Sequence, residues 1–355
     1  MTRAVVGITM GDPAGIGPEI ALKAAVDPRL SSRCLPVIIG SVAVLDRVRE
    51  VLDLDLQFRR YFPGKDAAPN PGARAGDSAN GVQAPVVHIV DLDNCRPGEF
   101  AFGAVSATMG RAAYEYIERA IAMALKGEID AVATGPIHKE SLNLSGIPHP
   151  GHTEIFASLT GTAEYAMMLA VDDLRISHVT THVALAQVPS LVTKERVLSV
   201  IRLTHDAVAA LGVKAPRIAV AGLNPHCGEG GLFGSEDERE IRPAVAAARH
   251  SGIDASGPLP GDTVFVQARA GRFDAVVAMY HDQGHIPAKL AGFKVDPQSG
   301  TWRAVTGVNI TLGLPIIRTS VDHGVAFDIA GKGIASHDSM VDAVNLAAQL
   351  ALGRA

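Results

Sequence analysis

The stretch Val5-Val6-Gly7-Ile8-Thr9-Met10-Gly11-Asp12-Pro13-Ala14-Gly15-Ile16-Gly17-Pro18-Glu19 decides the fold class. Its apolar half has strand length and stops at Gly11. A glycine-rich turn then enters a segment with Pro18 in its first turn and the helical run Glu19-Ile20-Ala21-Leu22. Working outward, the same strand–turn–helix unit recurs. Residues 35–39 read as a buried strand ahead of helical spacing at Val42, Leu45, Val48 and Val51. Residues 86–90 repeat the strand signal, and 108–126 predict a long helix with Met109, Ala113, Ile117, Ile121 and Leu125 on one face. Strands follow at 129–133, 165–171, 176–180, 217–221 and 274–279, with helices at 194–211, 237–249 and 341–352. Apolar strands separated by helices predict an α/β protein with largely parallel sheets.

At 355 residues the chain has room for about two domains. Its 47% hydrophobic content excludes a wholly disordered chain. The formal net charge is −5 and no basic stretch interleaves with aromatics, which argues against a dedicated nucleic-acid binder. Apolar runs such as 275–279 fall far short of a membrane span. The first residues lead into Gly11-Asp12 without an apolar signal region, and Cys34, Cys95 and Cys227 are too few and too far apart for a disulfide framework. A cytoplasmic protein is expected. Residues 61–84 and 294–306 read as long exposed loops. Neither is a clean linker, so the domains are expected to share chain segments.

Polar, glycine-rich clusters stand just beyond the C-terminal ends of the expected strands, the edge at which α/β sheets bind ligands. They are Gly11-Asp12, Thr134-Gly135-Pro136-Ile137-His138-Lys139, Thr181-His182, Asn224-Pro225-His226-Cys227-Gly228-Glu229-Gly230-Gly231 and Tyr280-His281-Asp282-Gln283-Gly284. Two more, Gly151-His152-Thr153-Glu154 and Asp322-His323-Gly324, lie in loop-like sequence. His182, His226 and His281 each closely follow an apolar strand. Any one alone reads as capping a strand end. Together they suit Zn²⁺ or another first-row divalent ion with positions left for substrate oxygens. Asp12, Asp262 and Asp282 are candidate carboxylates, and Asp262 in Pro260-Gly261-Asp262-Thr263 also reads as a turn or helix cap. Lys139, Lys289 and Arg318 are candidate partners of an anionic substrate. Arg318 is the least surface-like, because it ends the apolar run Leu314-Pro315-Ile316-Ile317. Cys227 beside His226 does not read as a nucleophile dyad, since neighbours in a glycine-rich loop rarely face each other. Gly11, Gly15 and Gly17 fit neither GxGxxG nor a P-loop. Their turn either cradles an anion or simply joins strand to helix.

These motifs, with Gly257-Pro258-Leu259-Pro260-Gly261-Asp262-Thr263, Val308-Asn309-Ile310-Thr311-Leu312-Gly313-Leu314-Pro315 and Arg318-Thr319-Ser320-Val321-Asp322-His323-Gly324, occur in an order that resembles the 4-hydroxythreonine-4-phosphate dehydrogenase family of pyridoxal phosphate biosynthesis. The resemblance spans nearly the whole chain. The stretch 323–333 is similar to the adenosine-side loop of isocitrate and isopropylmalate dehydrogenases. What this implies is two α/β/α domains of that dehydrogenase-like type with mostly parallel sheets and the active site in the interdomain cleft. Residues 1–135 plus 286–355 would form the cofactor-side domain, and 136–285 the metal, substrate and dimerisation domain. The resemblance also implies a homodimer whose active site draws on both subunits.

Carried over position by position, it implies His182, His226 and His281 as ligands of one divalent ion per subunit (Zn, Mg or Co). His152, Thr153, Lys289, Asn309 and Arg318 match substrate contacts, and Asp262 and Asp282 match acidic residues near the metal. Lys289 or His138 would transfer a proton. Asn224, Gly228, Glu229, Gly230, His323, Gly324 and Asp328 are placed on NAD or NADP. The implied reaction oxidises C3 of 4-phosphohydroxy-L-threonine to a β-keto acid, which loses CO₂ to give 3-amino-2-oxopropyl phosphate. Two departures stand out. Between Gly292-Phe293 and Val308-Asn309 the chain carries about a dozen more residues than the family's short link. Gly284-His285-Ile286-Pro287 is similar instead to relatives that oxidise aromatic dihydrodiols. The alternatives are therefore a catabolic dehydrogenase of 4-phospho-D-threonate, 4-phospho-D-erythronate or an aromatic cis-dihydrodiol, and more remotely a zinc hydrolase.

Overall fold

A computed structural model describes residues 3–64, 84–96, 98–295, 302–305 and 307–354. Most of the expected 61–84 loop lies outside the described residues. In chain order the first half contains β1 (Ala4–Thr9), α1 (Gly17–Ala25), β2 (Cys34–Gly40), α2 (Val42–Val51), β3 (Gln57–Arg60), β4 (Val86–Asp91), α3 (Ala107–Leu125), β5 (Ala131–Thr134), α4 (Lys139–Leu144) and α5 (His152–Thr160). Then follow β6 (Ala166–Val171), β7 (Leu174–His178), α6 (Val188–Leu191), α7 (Lys194–Ala210), β8 (Arg217–Ala221), α8 (Arg242–His250), β9 (Asp254–Leu259), α9 (Val264–Arg269), β10 (Ala275–Ala278) and α10 (His281–Gly292). The chain closes with β11 (Phe293–Val295), β12 (Trp302–Val305), β13 (Val308–Leu312), β14 (Ile317–Val321) and α11 (Asp338–Arg354). These form two compact units, Met1–Thr162 with Leu314–Gly353, and Ala163–Gly313.

In the first unit the strand order is β3-β4-β2-β1-β5-β14, with every pairing parallel. β1 is buried at all six positions, which is why its sequence is continuously apolar rather than alternating. α3 packs on β1, β2 and β5. It starts where the Ser106 hydroxyl accepts the Met109 N–H, and it buries Met109, Ala113, Ile117 and Ile121. Leu125, expected on the same face, is exposed because it is the last residue of the helix. The turn after β1 lies directly against the turn after β5. Asp12 N–H donates to the Pro136 carbonyl at 2.9 Å. Gly11 has φ +72°, and a Cβ there would collide with the Pro136 carbonyl oxygen, so only glycine fits.

In the second unit the order is β13-β6-β7-β10-β8-β9. β7, β10, β8 and β9 run parallel, while β6 is antiparallel to both β13 and β7. Leu169, Ile176, Ala219, Val264, Phe265 and Val276 belong to its core. Of the expected loop at 294–306, residues 296–301 and 306 lie outside the described residues, and the described ends form strands instead. β11 and β12 pair antiparallel, with Phe293 opposite Val305 and Lys294 opposite Ala304. The aromatic and β-branched residues of Phe293-Lys294-Val295 and Trp302-Arg303-Ala304-Val305 favour such pairing. Among the described residues no helix is long and apolar enough to cross a membrane.

Candidate active site

β7, β10 and β8 are adjacent and parallel, so their C-terminal ends share one sheet edge. His182 lies four residues past β7, His281 opens the helix after β10, and His226 lies five residues past β8. For His182 and His281 sequence distance is thereby converted into proximity, while His226 stands past the end of β8 beside a separate hollow. The His182 and His281 ring centroids are 5.4 Å apart. With Zn–N bonds of about 2.1 Å, two imidazoles on one tetrahedral ion would have centroids about 5 Å apart. His281 Nδ1–H donates to Asp282 Oδ1 at 2.6 Å, leaving Nε2 with its lone pair, the arrangement that orients a metal-binding imidazole. That bond lowers the Asp282 pKa. His182, His281 and Asp282 line a hollow of about 350 Å³. His226 and Asp262 line a neighbouring hollow of about 580 Å³ that Tyr280 and Asp282 also bound. The His226 ring lies 6.4 Å from that of Phe233. Among the described residues no three His, Cys, Asp or Glu side chains are grouped so as to hold a metal ion. The donor chemistry fits a divalent ion, with two imidazoles together and the third beside the next hollow.

The turn that carries His226 is unusual. His226, Cys227, Gly228, Glu229 and Gly230 have φ of 52°, 56°, 78°, 43° and 65°. Left-handed conformation costs a non-glycine residue roughly 1–2 kcal/mol. The turn holds four expected cofactor contacts, Asn224, Gly228, Glu229 and Gly230. Burial raises the Cys227 thiol pKa, which disfavours a nucleophilic thiolate. Asp262 is exposed and Thr263 occupies the N-cap position of α9, so the capping reading of Asp262 does not describe its place.

Two histidines that the sequence did not single out as ligands adjoin the pair. His285 stacks on His281 at 3.6 Å with an interplanar angle of 11°. Its Nδ1–H donates to the His281 carbonyl at 2.9 Å. His178, wholly buried at the end of β7, lies 4.7 Å from His285 between centroids. Lys289, on α10, sets its ammonium 5.0 Å from the Phe293 ring centre. Asn309 sits on β13 opposite Leu169, and its buried Oδ1 has no hydrogen-bond partner among the described residues.

In the first unit, Arg318 on β14 is 2% exposed. Its Nη2 donates to Thr134 Oγ1 at 2.9 Å and its guanidinium carbon lies 5.5 Å from the Phe156 ring centre. Burial pushes its pKa down to about 9. His152 and Thr153, expected in loop-like sequence, open the nine-residue helix α5 instead, entered through an extended Gly151. His152 Nε2 is buried without a hydrogen-bond partner among the described residues, and burial, then the Arg318 charge, hold its pKa well below the ordinary value. His138 caps α4, its Nδ1 accepting the Ser141 N–H, and its ring stacks on Phe327 at 4.6 Å. Buried Asp12 accepts the Ala14 N–H at 2.9 Å, and burial raises its pKa. His323 Nδ1–H donates to the Gly324 carbonyl while Nε2 accepts the Ser339 hydroxyl. Gly324 and Asp328 are exposed.

Several of these rings are kept neutral by burial, so acid should destabilise the metal-free fold. Burial pushes His178 down to about 3 and His285 down to about 4. The unfolded chain protonates the same rings near about 6.5. The unfolded state therefore binds more protons below that value, and stability falls on acidification from about pH 6.5 down to about pH 4 for His285 and about pH 3 for His178, the slope approaching about 1.4 kcal/mol per pH unit for each ring once the unfolded chain is protonated. Asp12, with its raised pKa, opposes this. Urea midpoints across that window check the sign: a midpoint that rises with acid would contradict the neutral burial of these histidines.

The family described as pyridoxal phosphate biosynthetic protein PdxA matches residues 32–347. The chain belongs to that family. A PdxA-family chain of this kind has relatives of the same length. It is 46% identical over 353 residues to the D-threonate 4-phosphate dehydrogenase of Salmonella typhimurium, covering 99% of this chain and 100% of the relative. It is 45% identical over 353 residues to the 4-hydroxythreonine-4-phosphate dehydrogenase of Trichlorobacter lovleyi, covering 98% of each. The crystal structure of 4-hydroxythreonine-4-phosphate dehydrogenase from Klebsiella pneumoniae matches with a TM-score of 0.81 at 42% identity, over 98% of both chains.

Proposed function

We propose that this PdxA-family chain is a dehydrogenase, dependent on NAD or NADP and on a divalent ion, that oxidises C3 of 4-phosphohydroxy-L-threonine to 2-amino-3-oxo-4-phosphooxybutanoate. Decarboxylation of that product gives 3-amino-2-oxopropyl phosphate. The observation that carries the reading is full-length similarity, 45% identity over 98% of each chain, to a relative named for this activity. A second reading, D-threonate 4-phosphate as substrate, is favoured by a relative of that name at 46% identity. Both substrates carry a C4 phosphate and a C3 hydroxyl, and they differ in an amino or hydroxyl group at C2.

His182, His226 and His281 would hold the ion. When bound, the ion would supply a Lewis acid for the C3 oxygen and the nicotinamide cofactor a hydride acceptor. The remaining work falls to the chain's own side chains. Arg318 would bind an anionic group of the substrate, its guanidinium fixed in direction by Thr134. His152 stays neutral beside it, so its buried Nε2 can pair with the substrate without adding charge. Thr153, Asn309 and Lys289 would complete the contacts, and Lys289 or His138 would take the C3 hydroxyl proton. Asp282 orients His281, and Asp262 lies beside the hollow His226 lines. The turn at 224–230 and the 323–333 loop would bind the cofactor. Leu185, Leu232, Val266, Ile286 and Leu290 are each more than half exposed, which supports a homodimer that covers them. Free Cys34, Cys95 and Cys227 support a cytoplasmic location.

The test is growth of the reduced-nicotinamide absorbance with added divalent ion over a panel of 4-phosphohydroxy-L-threonine, 4-phospho-D-threonate, 4-phospho-D-erythronate and an aromatic cis-dihydrodiol carboxylate. Turnover of the first, abolished by chelator, is expected. Turnover of 4-phospho-D-threonate alone would keep the chemistry and move the substrate to the second reading. Silence across the panel with metal bound would overturn both.

A further inference from the structure

We infer that Asp237 is a positioning residue for His226 and sets the strength of metal binding through it. The inference rests on the reading of His226 as a metal ligand. Asp237 begins a single π-helical turn, Asp237–Ile241, ahead of α8. Single π-helical turns are frequent at functional sites. Its carboxylate is wholly buried. Oδ1 accepts the Leu223 N–H at 2.9 Å, and Oδ2 accepts the Asn224 N–H at 3.1 Å and the Asn224 side-chain amide at 3.0 Å. The same amide donates to Glu236 Oε2 at 2.9 Å. The backbone just upstream of His226 is therefore pinned by one buried acid.

The glycines around it confirm how closely the turn wraps that acid. A Cβ at Gly222 would stand 2.8 Å from Asp237 Oδ1, and one at Gly228 would stand 3.7 Å from Oδ2. His226 lies between these two glycines, at φ 52° and with an exposed ring. With little packing to hold the ring, the backbone sets the direction of the His226 Cα–Cβ bond and hence the positions its rotamers can reach. A carboxylate can accept at every lone pair, whereas an amide in its place must present N–H to one of three donors that already face it. Asp237→Asn thus loosens the arch at Leu223-Asn224 while leaving side-chain volume unchanged.

The experiment measures Zn²⁺ affinity of the full chain by competition with a chromogenic chelator, for wild type, Asp237→Asn, His226→Ala and the double variant. Asp237→Asn is expected to weaken binding by roughly 10–100-fold, the range for residues that orient a ligand. In the His226→Ala background the same substitution should change affinity by less than about twofold, because the residue it acts through is gone. Wild-type affinity in a folded Asp237→Asn protein overturns the inference, and so does an equal loss in the His226→Ala background. If Asp237→Asn fails to fold, Glu236→Ala takes its place, with weaker binding expected only while His226 is present. Wild-type protein that binds no Zn²⁺ overturns the metal reading itself, a result distinct from either failure above.

Discussion

A His281→Ala variant is expected to lose its divalent ion on dialysis and at least about 10³-fold in kcat/KM, equivalent to about 4 kcal/mol of transition-state stabilisation. The size follows from position. β10 lies between β7 and β8, so His281 is the middle of the three imidazoles and the one that adjoins His182. Its Nδ1–H is already committed to Asp282, which leaves Nε2 for the ion. Because His281 stands at a helix start, a third exposed, its loss should shift stability by no more than about 1 kcal/mol. Metal content after dialysis and the thermal midpoint are read together. Full metal occupancy with near-wild-type turnover would remove His281 from the site.

Arg318→Met is expected to lower kcat/KM by roughly 10²–10³-fold, mostly through KM, as about 3–4 kcal/mol of charge-assisted binding to the substrate is lost. Methionine keeps much of the length of the side chain, and its apolar end relieves the desolvation cost that a buried guanidinium carries in the free protein. The fold should therefore hold its midpoint or gain while binding fails, which separates a substrate role from a structural one. Arg318→Lys should rescue little, since an ammonium does not reproduce the planar fork directed by Thr134. A KM unchanged in Arg318→Met would show that the substrate's anionic group binds elsewhere.

The parallel strands were legible because burial on both faces leaves continuous apolar runs, as in Ile218-Ala219-Val220-Ala221 and Ala275-Val276-Val277-Ala278. β3, Gln57-Phe58-Arg59-Arg60, was not, because an edge strand exposed on three of four residues carries no apolar pattern. β9 hides behind Ser256-Gly257-Pro258, whose residues signal a turn. The helix start at His152 was read as loop because Gly151 supplies no capping side chain. The places of His182, His226 and His281 after adjacent strands were legible, because each follows a continuous apolar run. Asp237 was not, since its role comes from hydrogen bonds to a turn thirteen and fourteen residues earlier, and nothing in a local pattern records them. His178 was not singled out because it ends a buried strand, and His285 stood out only as a departure from the family's pattern although it lies one helical turn after His281.

The second unit is inserted between β5 and β14, which pair with each other in the first. This sets a timetable for synthesis. β5 ends at Thr134 and β14 begins at Ile317, 183 positions later. At about 5–20 residues per second, a ribosome needs roughly 9–37 s to deliver the strand that covers the β5 edge. For that interval the nascent first unit presents the open apolar edge Ala131-Val132-Ala133, while the inserted unit, continuous in sequence, can complete its own sheet first. Growth conditions that slow elongation prolong that exposure, so aggregation during expression should respond to translation speed more than to the stability of the finished protein.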